Sequence, residues 1–339
     1  MIRVILKLLL KATLAVLLLG GILAVLVWQQ YREFLVQPLE IPDQGMTLTI
    51  PQGMSLRGLA ARLEKDGVLD DARLLRLYGR LHHEATQIKA GEYHLSSGLT
   101  PVALLDLLVA GKTISYSITL VEGWTFEQMM QAIQTNEQLK HELKGLSGEE
   151  IMARLGHAGE HPEGRFFPDT YLFPRGFSDL ELLRRAYAAM EEQLAAAWKE
   201  RDENLPLETP YEMLILASIV EKETGRAGER DRIAGVFIRR LKKGMKLQTD
   251  PTVIYGMGAS YKGNIRRKDL REPTPYNTYV IPGLPPTPIC MPGRGALLAV
   301  AHPADEKALY FVARGDGSHQ FSATLKQHNA AVRKYQLRK

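Results

Sequence analysis

The sequence predicts an α+β protein with three parts: a single N-terminal transmembrane helix, a small α/β module, and a mixed helical domain with a few short strands. Three features carry this prediction. An uncharged apolar run extends from Ala12 to Trp28. A strand–turn–helix pattern then occurs three times, with its turns at Gly53, Gly98 and Gly123. Amphipathic helical patterns separated by proline-bearing loops fill the rest of the chain.

The composition is that of a folded protein with a basic surface. At 339 residues the chain exceeds one typical domain, so two or three units are expected. Its 45% hydrophobic and 24% charged residues exclude a disordered chain. The net charge of +5 suits an anionic neighbour such as a membrane surface, an acidic glycan or nucleic acid. Because the basic residues are spread along the chain and match no nucleic-acid module, no nucleic-acid partner is predicted.

The N-terminal segment is predicted to cross a membrane once. Residues 1–11 form a cytoplasmic tail, residues 12–31 the anchor, and residues 32–46 a short extended tether. Roughly 20 apolar residues span the core of a bilayer, so the apolar run is just long enough. The basic residues of the tail place the N-terminus inside and the rest of the chain outside.

A cleaved signal peptide is the alternative interpretation of the same segment. Against it stand the long apolar run and the lack of a clear small-x-small cleavage site before Trp28, Tyr31 and Arg32. The aromatic rings of Trp28 and Tyr31 suit the interface of a bilayer. We therefore expect an uncleaved, single-pass anchor.

Residues 47–125 are predicted to form the repeat module. The turns of its three copies read Gly53-Met-Ser55, Gly98-Leu-Thr100 and Gly123-Trp-Thr125, and each precedes an amphipathic helix. The hydroxyl of Ser or Thr caps a helix because it accepts a backbone N–H that the first turn leaves without a partner. This pattern resembles the strand–helix pattern of lysin-motif glycan-binding modules. A packing repeat that binds no ligand is the alternative.

Residues 126–205 are predicted to be a connecting region with helices and an aromatic loop. The loop reads PEGRFFPDTYLFPRG from Pro162, and its Phe167 and Tyr171 are candidates for stacking on the apolar faces of a ligand. The alternative is that this loop packs between domains. A long amphipathic helix is predicted from Ser178 to Glu200.

Residues 206–339 are predicted to form the domain that carries the chemistry. Its helix from Pro210 is apolar or small on every side from Met213 to Val220, apart from Ser218, so it is expected to be buried. The helix ends with two carboxylates, Glu221 and Glu223. Apolar surroundings raise the pKa of a carboxyl group and favour its protonated form, which a general acid needs.

Only one of these two carboxyls is predicted to be the acid. Residues two apart point to nearly opposite sides of a helix. Glu221 follows Ala217 and Ser218, a face of small residues that a ligand can approach, so it is the candidate general acid. Glu223 lies on the other side, where it supports the helix end or supports the site as a predicted substrate contact. The alternative is that Glu221 is simply the first solvated residue after a core helix.

Two polar loops are predicted to surround this acid. The residue before a proline is pushed out of the helical region, so the chain before Pro251 is expected to bend and point its polar side chains into a cleft. A second polar cluster follows near Tyr276. The predicted substrate contacts in these loops are Gln248, Thr249, Asp250, Tyr255, Tyr276 and Asn277.

Several other chemistries lack the residues that they need. The histidines show no HExxH spacing, and the single cysteine, Cys290, excludes both CxxC sites and an internal disulfide. No serine-nucleophile motif of the G-x-S-x-G or S-x-x-K type occurs. No metal or cofactor is therefore predicted. A candidate buried acid among amide, hydroxyl and aromatic groups suits the cleavage of a glycosidic bond.

Five motifs, in this order along the chain, resemble the YceG-like (MltG) family of endolytic murein transglycosylases: FPDTYLF from Phe167, ASIVEKET from Ala217, LQTDPTVIYGMG from Leu247, YNTY from Tyr276 and GLPP from Gly283. The resemblance covers nearly the whole chain. It implies that Glu221 is the catalytic glutamate. It also implies lytic cleavage within nascent peptidoglycan strands, on the outer side of the bacterial inner membrane, near the peptidoglycan synthases.

A non-catalytic, membrane-tethered glycan-binding scaffold that regulates wall synthesis is the competing class. It explains the anchor, the repeat module and the basic charge equally well. It does not explain why an apolar helix should present Glu221 beside two polar loops.

Overall fold

The computed structural model describes residues 2–83 and 87–337 and divides the chain into two compact units. The first unit contains the chain up to Tyr116 together with Phe173–Gly176. The second contains Ser117–Leu172 and the chain from Phe177 onward. Both combine α-helices with short β-strands, so the predicted α+β class is confirmed.

The first helix, α1, runs from Ile2 to Val36 and is longer than the predicted anchor. Residues 2–11 of the predicted tail and residues 32–36 of the predicted tether belong to the same helix. Its stretch Leu9–Val36 has a mean hydropathy of 2.4 and is exposed along most of its length. Within the described ranges, it is the one helix long and apolar enough to span a bilayer.

The rest of the first unit is a small α/β fold. Its elements are β1 (Met46–Ile50), α2 (Leu56–Lys65), α3 (Ala72–Leu81), β2 (Gly91–Leu95) and α4 (Pro101–Ala110). The two strands pair antiparallel, with Met46 opposite Leu95 and Ile50 opposite Gly91. Leu48, Leu59, Leu75 and Tyr93 are buried in the core of this unit. Helix α3 was not predicted.

The capped repeat is confirmed. Each predicted cap accepts the expected backbone N–H: Ser55 from Gly58, Thr100 from Ala103, and Thr125 from Gln128. The preceding glycines, Gly53, Gly98 and Gly123, have φ of 82°, 82° and 79°, a left-handed conformation that favours glycine. The helix of the third copy, which Thr125 caps, lies in the second unit.

The second unit is mainly helical. Strands β3 (Ser115–Thr119) and β4 (Thr170–Pro174), which have residues in both units, form one two-stranded sheet, and β5 (Tyr310–Ala313) and β6 (His319–Ser322) form another. The helices of the unit are α5 (Phe126–Gln134), α6 (Gly148–Leu155), α7 (Asp179–Glu200), α8 (Pro210–Glu223), α9 (Arg230–Lys242), α10 (Asp250–Met257), α11 (Arg294–Ala301) and α12 (Leu325–Tyr335).

Helix α8 forms the centre of this unit. Every residue from Met213 to Val220 is buried, as the apolar run predicted. The helix packs against α7, α9 and α11, and their apolar side chains form one core with it. This packing fixes the C-terminal end of α8, from which the carboxylates Glu221 and Glu223 project.

Two local predictions were wrong. Pro251 does not follow a bend but lies in the first turn of α10, where its missing N–H costs nothing and its fixed φ suits a helix. The predicted open face of Ala217 and Ser218 is fully buried. The Ser218 hydroxyl accepts the N–H of Ile289 at 3.0 Å, because the segment around Ile289 covers this side of α8.

Candidate active site

The Glu221 carboxylate is held from two sides. Its Oε1 accepts a hydrogen bond from Arg230 Nη2 at 3.1 Å, and its Oε2 accepts the backbone N–H of Gly293 at 3.0 Å. The side chain is only 5% exposed. Burial raises the pKa of Glu221, while the Gly293 N–H and the Arg230 charge act in the opposite direction. The group is therefore fixed in place and biased toward a proton.

Arg230 also forms an ion pair with a second carboxylate, that of Glu122. The distance from Arg230 Nη2 to Glu122 Oε2 is 3.5 Å. Its negative charge raises the pKa of Glu221 further. A Cβ at position 293 would meet the Glu122 carboxylate, so a larger residue there requires the Glu122 side chain to shift. Sequence reasoning missed Glu122, although it stands just before the third Gly turn, where the other two copies carry Gln52 and Ser97.

Glu223 points to a different environment, as the helical geometry predicted. The Thr249 hydroxyl donates to its Oε1. Burial raises the pKa of Glu223 to about 7, and the Asp250 carboxylate adds to this rise. The position of Glu223 at the last residue of α8 works in the same direction, because the C-terminal end of a helix carries partial negative charge.

Glu223 lines a cavity of about 430 Å³, which we call the Glu223 cavity. Its lining includes Arg240, Gln248, Thr249, Asp250 and Tyr279, together with Tyr310 of β5 and Leu325 and His328 of α12. The Tyr279 hydroxyl donates to Asp250 Oδ1 at 2.7 Å. Three predicted contact residues, Gln248, Thr249 and Asp250, thus gather around Glu223 and not around Glu221.

Arg240 holds the backbone next to the Glu223 cavity in place. It is 7% exposed and donates to the carbonyls of Lys246, Leu247 and Leu309 at distances from 2.7 to 3.1 Å. Sequence reasoning overlooked Arg240. The signal was its position seven residues after Ile233, on the buried stripe of α9, where a cation needs partners.

The remaining polar-loop residues have structural partners. Asn277 is fully buried, and its amide donates to the carbonyls of Asp269 and Glu272 at 3.0 and 2.7 Å. Its Oδ1 accepts the N–H of Tyr279 at 3.0 Å. Asn277 therefore shapes the loop that carries Tyr279.

Tyr255 and Tyr276 form a third group with a carboxylate that the sequence analysis missed, Glu163. Tyr255 donates to Glu163 Oε2 at 3.1 Å and meets the Tyr276 ring edge-on, with centroids 4.9 Å apart. Glu163 Oε1 accepts the N–H of Phe126 at 3.0 Å. Burial raises the pKa of Glu163 to about 7. A carboxylate inside an aromatic loop was the available signal.

The predicted aromatic contacts lie elsewhere in the second unit. The Tyr171 hydroxyl donates to the Phe167 carbonyl at 2.8 Å, and the Phe167 N–H donates to the Ala186 carbonyl at 2.9 Å. Phe167 packs against the core that surrounds α8. Neither ring lines the Glu223 cavity.

Glu163 makes the stability of the folded protein depend on pH. The pKa of this carboxyl is about 7 in the folded protein, against an ordinary value of 4.5. Between these values the folded state binds a proton that the unfolded state releases, so stability falls as the pH rises through this window. Glu163→Gln removes that proton, and we expect it to reduce the fall in stability between about pH 5 and about pH 8 by roughly 3 kcal/mol.

Melting temperatures of the full-length protein across this pH range check the expectation. Glu192→Gln, an exposed position on α7, is the matched control and should follow the wild type. An equal loss of stability in the wild type and in Glu163→Gln would contradict the assignment.

The chain matches a protein family and several named proteins. The profile of the YceG-like family matches residues 48–334. A protein of Bacillus subtilis named endolytic murein transglycosylase is 32% identical over 323 residues, covering 90% of this chain and 89% of its own. A protein of the same name from Streptococcus pneumoniae is 28% identical over 79% of this chain, which spans 54% of that longer protein.

A solved structure gives the same result. The crystal structure of a protein from Listeria monocytogenes described as YceG-like matches with a TM-score of 0.57 and 30% identity, covering 85% of this chain and 99% of that one. The family profile covers most of this chain, and the Bacillus relative aligns along nearly its full length. The chain therefore belongs to the YceG-like family.

Proposed function

We propose that this protein is a membrane-anchored endolytic transglycosylase of peptidoglycan. It cleaves the bond between N-acetylmuramic acid and N-acetylglucosamine within nascent glycan strands, leaves 1,6-anhydro-N-acetylmuramic acid ends, and so terminates strand elongation. The observation that carries this proposal is the Glu221 carboxyl, buried, fixed by Arg230 and Gly293, and biased toward its acid form. The names of the relatives from Bacillus and Streptococcus support the same activity.

One carboxyl is sufficient for a lytic reaction. Glu221 first donates its proton to the glycosidic oxygen that leaves. The resulting carboxylate then takes the proton of the C6 hydroxyl of the same muramic acid, and that oxygen closes on C1. No water enters the product. The hydrogen bonds from Arg230 and Gly293 stabilise the carboxylate form at this second step.

The polar loops are assigned to the glycan strand. Gln248 and Asp250 are exposed on the wall of the Glu223 cavity, so they are the proposed contacts. Thr249 is buried between them, and the buried Asn277 fixes the loop of Tyr279, which donates to Asp250. Tyr255 and Tyr276 are proposed to shape the cleft through Glu163, and Phe167 and Tyr171 remain proposed aromatic contacts.

We propose that the first unit anchors the protein in the membrane and binds the glycan strand. We place α1 in the bacterial inner membrane with the N-terminus inside and the second unit in the periplasm, near the peptidoglycan synthases. The likeness of the strand–helix units β1–α2 and β2–α4 to lysin-motif glycan-binding modules is part of this proposal.

Turnover of isolated glycan strands by the full-length protein in detergent tests the function. An endolytic enzyme shortens long strands to intermediate lengths early in the reaction. A glycan-binding scaffold retains the strands and leaves their length distribution unchanged, and that result would overturn the proposal.

The anchor is expected to stay on the mature protein. Because α1 continues without interruption to Val36, protein isolated from membranes should begin at or near Met1. Residues beyond Gln37 should be open to protease added from the outer side. Sequencing of the N-terminus decides this, and a soluble form that starts within α1 would identify a signal peptide instead.

A further inference from the structure

Three features of the Glu223 cavity bear on whether it binds a ligand. Gln248 has φ of 52°, and among the described residues it is the one non-glycine residue in this conformation. His328 Nδ1 is buried and has no hydrogen-bond partner within the described ranges. Glu223 carries a raised pKa at the cavity wall. Strained backbone and unpaired buried polar atoms are typical of sites that bind a ligand.

The hydrogen bonds at Glu223 leave one oxygen available. Thr249 donates to Oε1, and within the described chain no donor or acceptor reaches Oε2. When Glu223 is protonated, its proton therefore resides on Oε2, at the cavity. The carboxyl then presents an O–H donor to whatever occupies the space.

The neighbouring side chains offer the complementary groups. The Gln248 carboxamide accepts from Arg240 Nη1 at 3.3 Å through its oxygen, which leaves its NH2 to donate into the cavity. The Asp250 carboxylate accepts from Tyr279 and has further lone pairs for a ligand N–H or O–H. Two donors beside one acceptor match the acetamido group and the hydroxyls of an N-acetylated sugar. A volume of about 430 Å³ is within the range of small-ligand sites.

We propose that the Glu223 cavity binds one N-acetylhexosamine unit of the glycan strand and that Glu223, in its protonated form, donates a hydrogen bond to an oxygen of that sugar. The inference rests on the proposed function for the identity of the strand. It makes Glu223 a binding residue that is distinct from the acid Glu221. It also makes strand affinity depend on pH.

The charges that face Glu223 are consistent with a proton on this group near neutral pH. The Asp250 carboxylate raises its pKa, whereas the Arg240 guanidinium and the Thr249 hydroxyl lower it. The Tyr279 hydroxyl faces Asp250. His319, which also lines the cavity, is hydrogen-bonded to Glu229 at 2.7 Å, and burial and the Arg240 charge lower the pKa of His328.

The test uses the full-length Glu221→Gln protein in detergent, because it binds strands without cleaving them under the proposed mechanism. The probe is an octasaccharide of alternating N-acetylglucosamine and N-acetylmuramic acid without peptides, titrated by calorimetry. With a pKa of about 7, the protonated fraction of Glu223 falls about tenfold between about pH 6 and about pH 8. The dissociation constant should rise by the same factor, about tenfold.

The double variant Glu221→Gln/Glu223→Gln is the matched control. The amide of Gln donates a hydrogen bond at every pH, so its affinity should stay within about twofold of the single variant at about pH 6 and show no pH dependence. Glu163 titrates in the same range and is intact in both proteins, so only Glu223 accounts for a difference between them.

Adding Asp250→Asn to Glu221→Gln provides a second check. It removes a negative charge that raises the pKa of Glu223, so the midpoint of the affinity change should move to lower pH. Melting temperatures confirm that each variant is folded.

Three results would overturn the inference: a pH-independent affinity of Glu221→Gln, a tenfold change that persists in the double variant, or no binding at about pH 6. Strand cleavage by the wild type is measured separately. Cleavage without the pH effect would leave the function standing and remove the role of Glu223. The pH effect without cleavage would leave the sugar site and remove the lytic activity.

Discussion

Glu221→Gln is expected to lower strand cleavage by on the order of 10²–10⁴-fold or more, because the amide keeps the shape of the side chain but has no proton to deliver. The amide oxygen can still accept the hydrogen bond of Arg230 or Gly293, so the fold and the neighbouring charges stay in place. Rates of strand shortening by wild type and variant, at equal protein concentration, measure the effect.

Glu223→Gln is the matched control for this substitution. It changes the same residue type two positions along α8 and leaves the proposed acid intact, so its loss of turnover should be much smaller. Comparable cleavage by Glu221→Gln and wild type, with matching melting curves, would exclude Glu221 as the acid.

Arg230→Met is expected to reduce kcat/KM by about 10- to 100-fold, since a charge-assisted hydrogen bond of about 1.5–3 kcal/mol to Glu221 is lost. The substitution should also move the alkaline limb of the pH profile. Arg230 lowers the pKa of Glu221, so its removal raises that pKa and the acid form persists to higher pH. A profile of kcat/KM against pH shows both effects.

Arg232→Met separates this role from a general loss of charge on α9. Arg232 pairs with Glu306 at 2.7 Å, and that ion pair does not include Glu221. The variant should keep the wild-type pH profile. If Arg230→Met leaves the alkaline limb in place, Arg230 does not tune Glu221.

The parts of the fold that local physics determines could be predicted from the sequence. Ser55, Thr100 and Thr125 cap helices because each hydroxyl satisfies a backbone N–H three residues later in the chain. The burial of α8 followed from its apolar surface on every side. The opposite directions of Glu221 and Glu223 followed from the helical repeat.

The partners that come from distant parts of the chain could not be predicted. Residues near Ile289 cover the small face at Ser218, and Gly293 supplies the donor to Glu221. No periodicity indicates that a segment about 70 residues away packs there. For the same reason the Thr249 loop was assigned to Glu221, whereas the structure places it against Glu223.

Pro251 is compatible with two different predictions of the local secondary structure. A proline disfavours a helix before it and favours one after it. The sequence analysis used the first preference, and the structure follows the second, with α10 starting at Asp250. As a result, Asp250 and Tyr255 are placed by a helix and not by a loop.

The chemical form of the new strand ends tests the lytic mechanism most directly. Strands are digested by the full-length protein in water enriched in oxygen-18, and the ends are measured by mass spectrometry. The account predicts 1,6-anhydro-N-acetylmuramic acid, one water lighter than a reducing sugar and free of solvent oxygen, on fragments from within the strands. Ends that carry oxygen-18 and are reduced by borohydride would show that the enzyme is a hydrolase, with Asp250 as the next carboxylate to test.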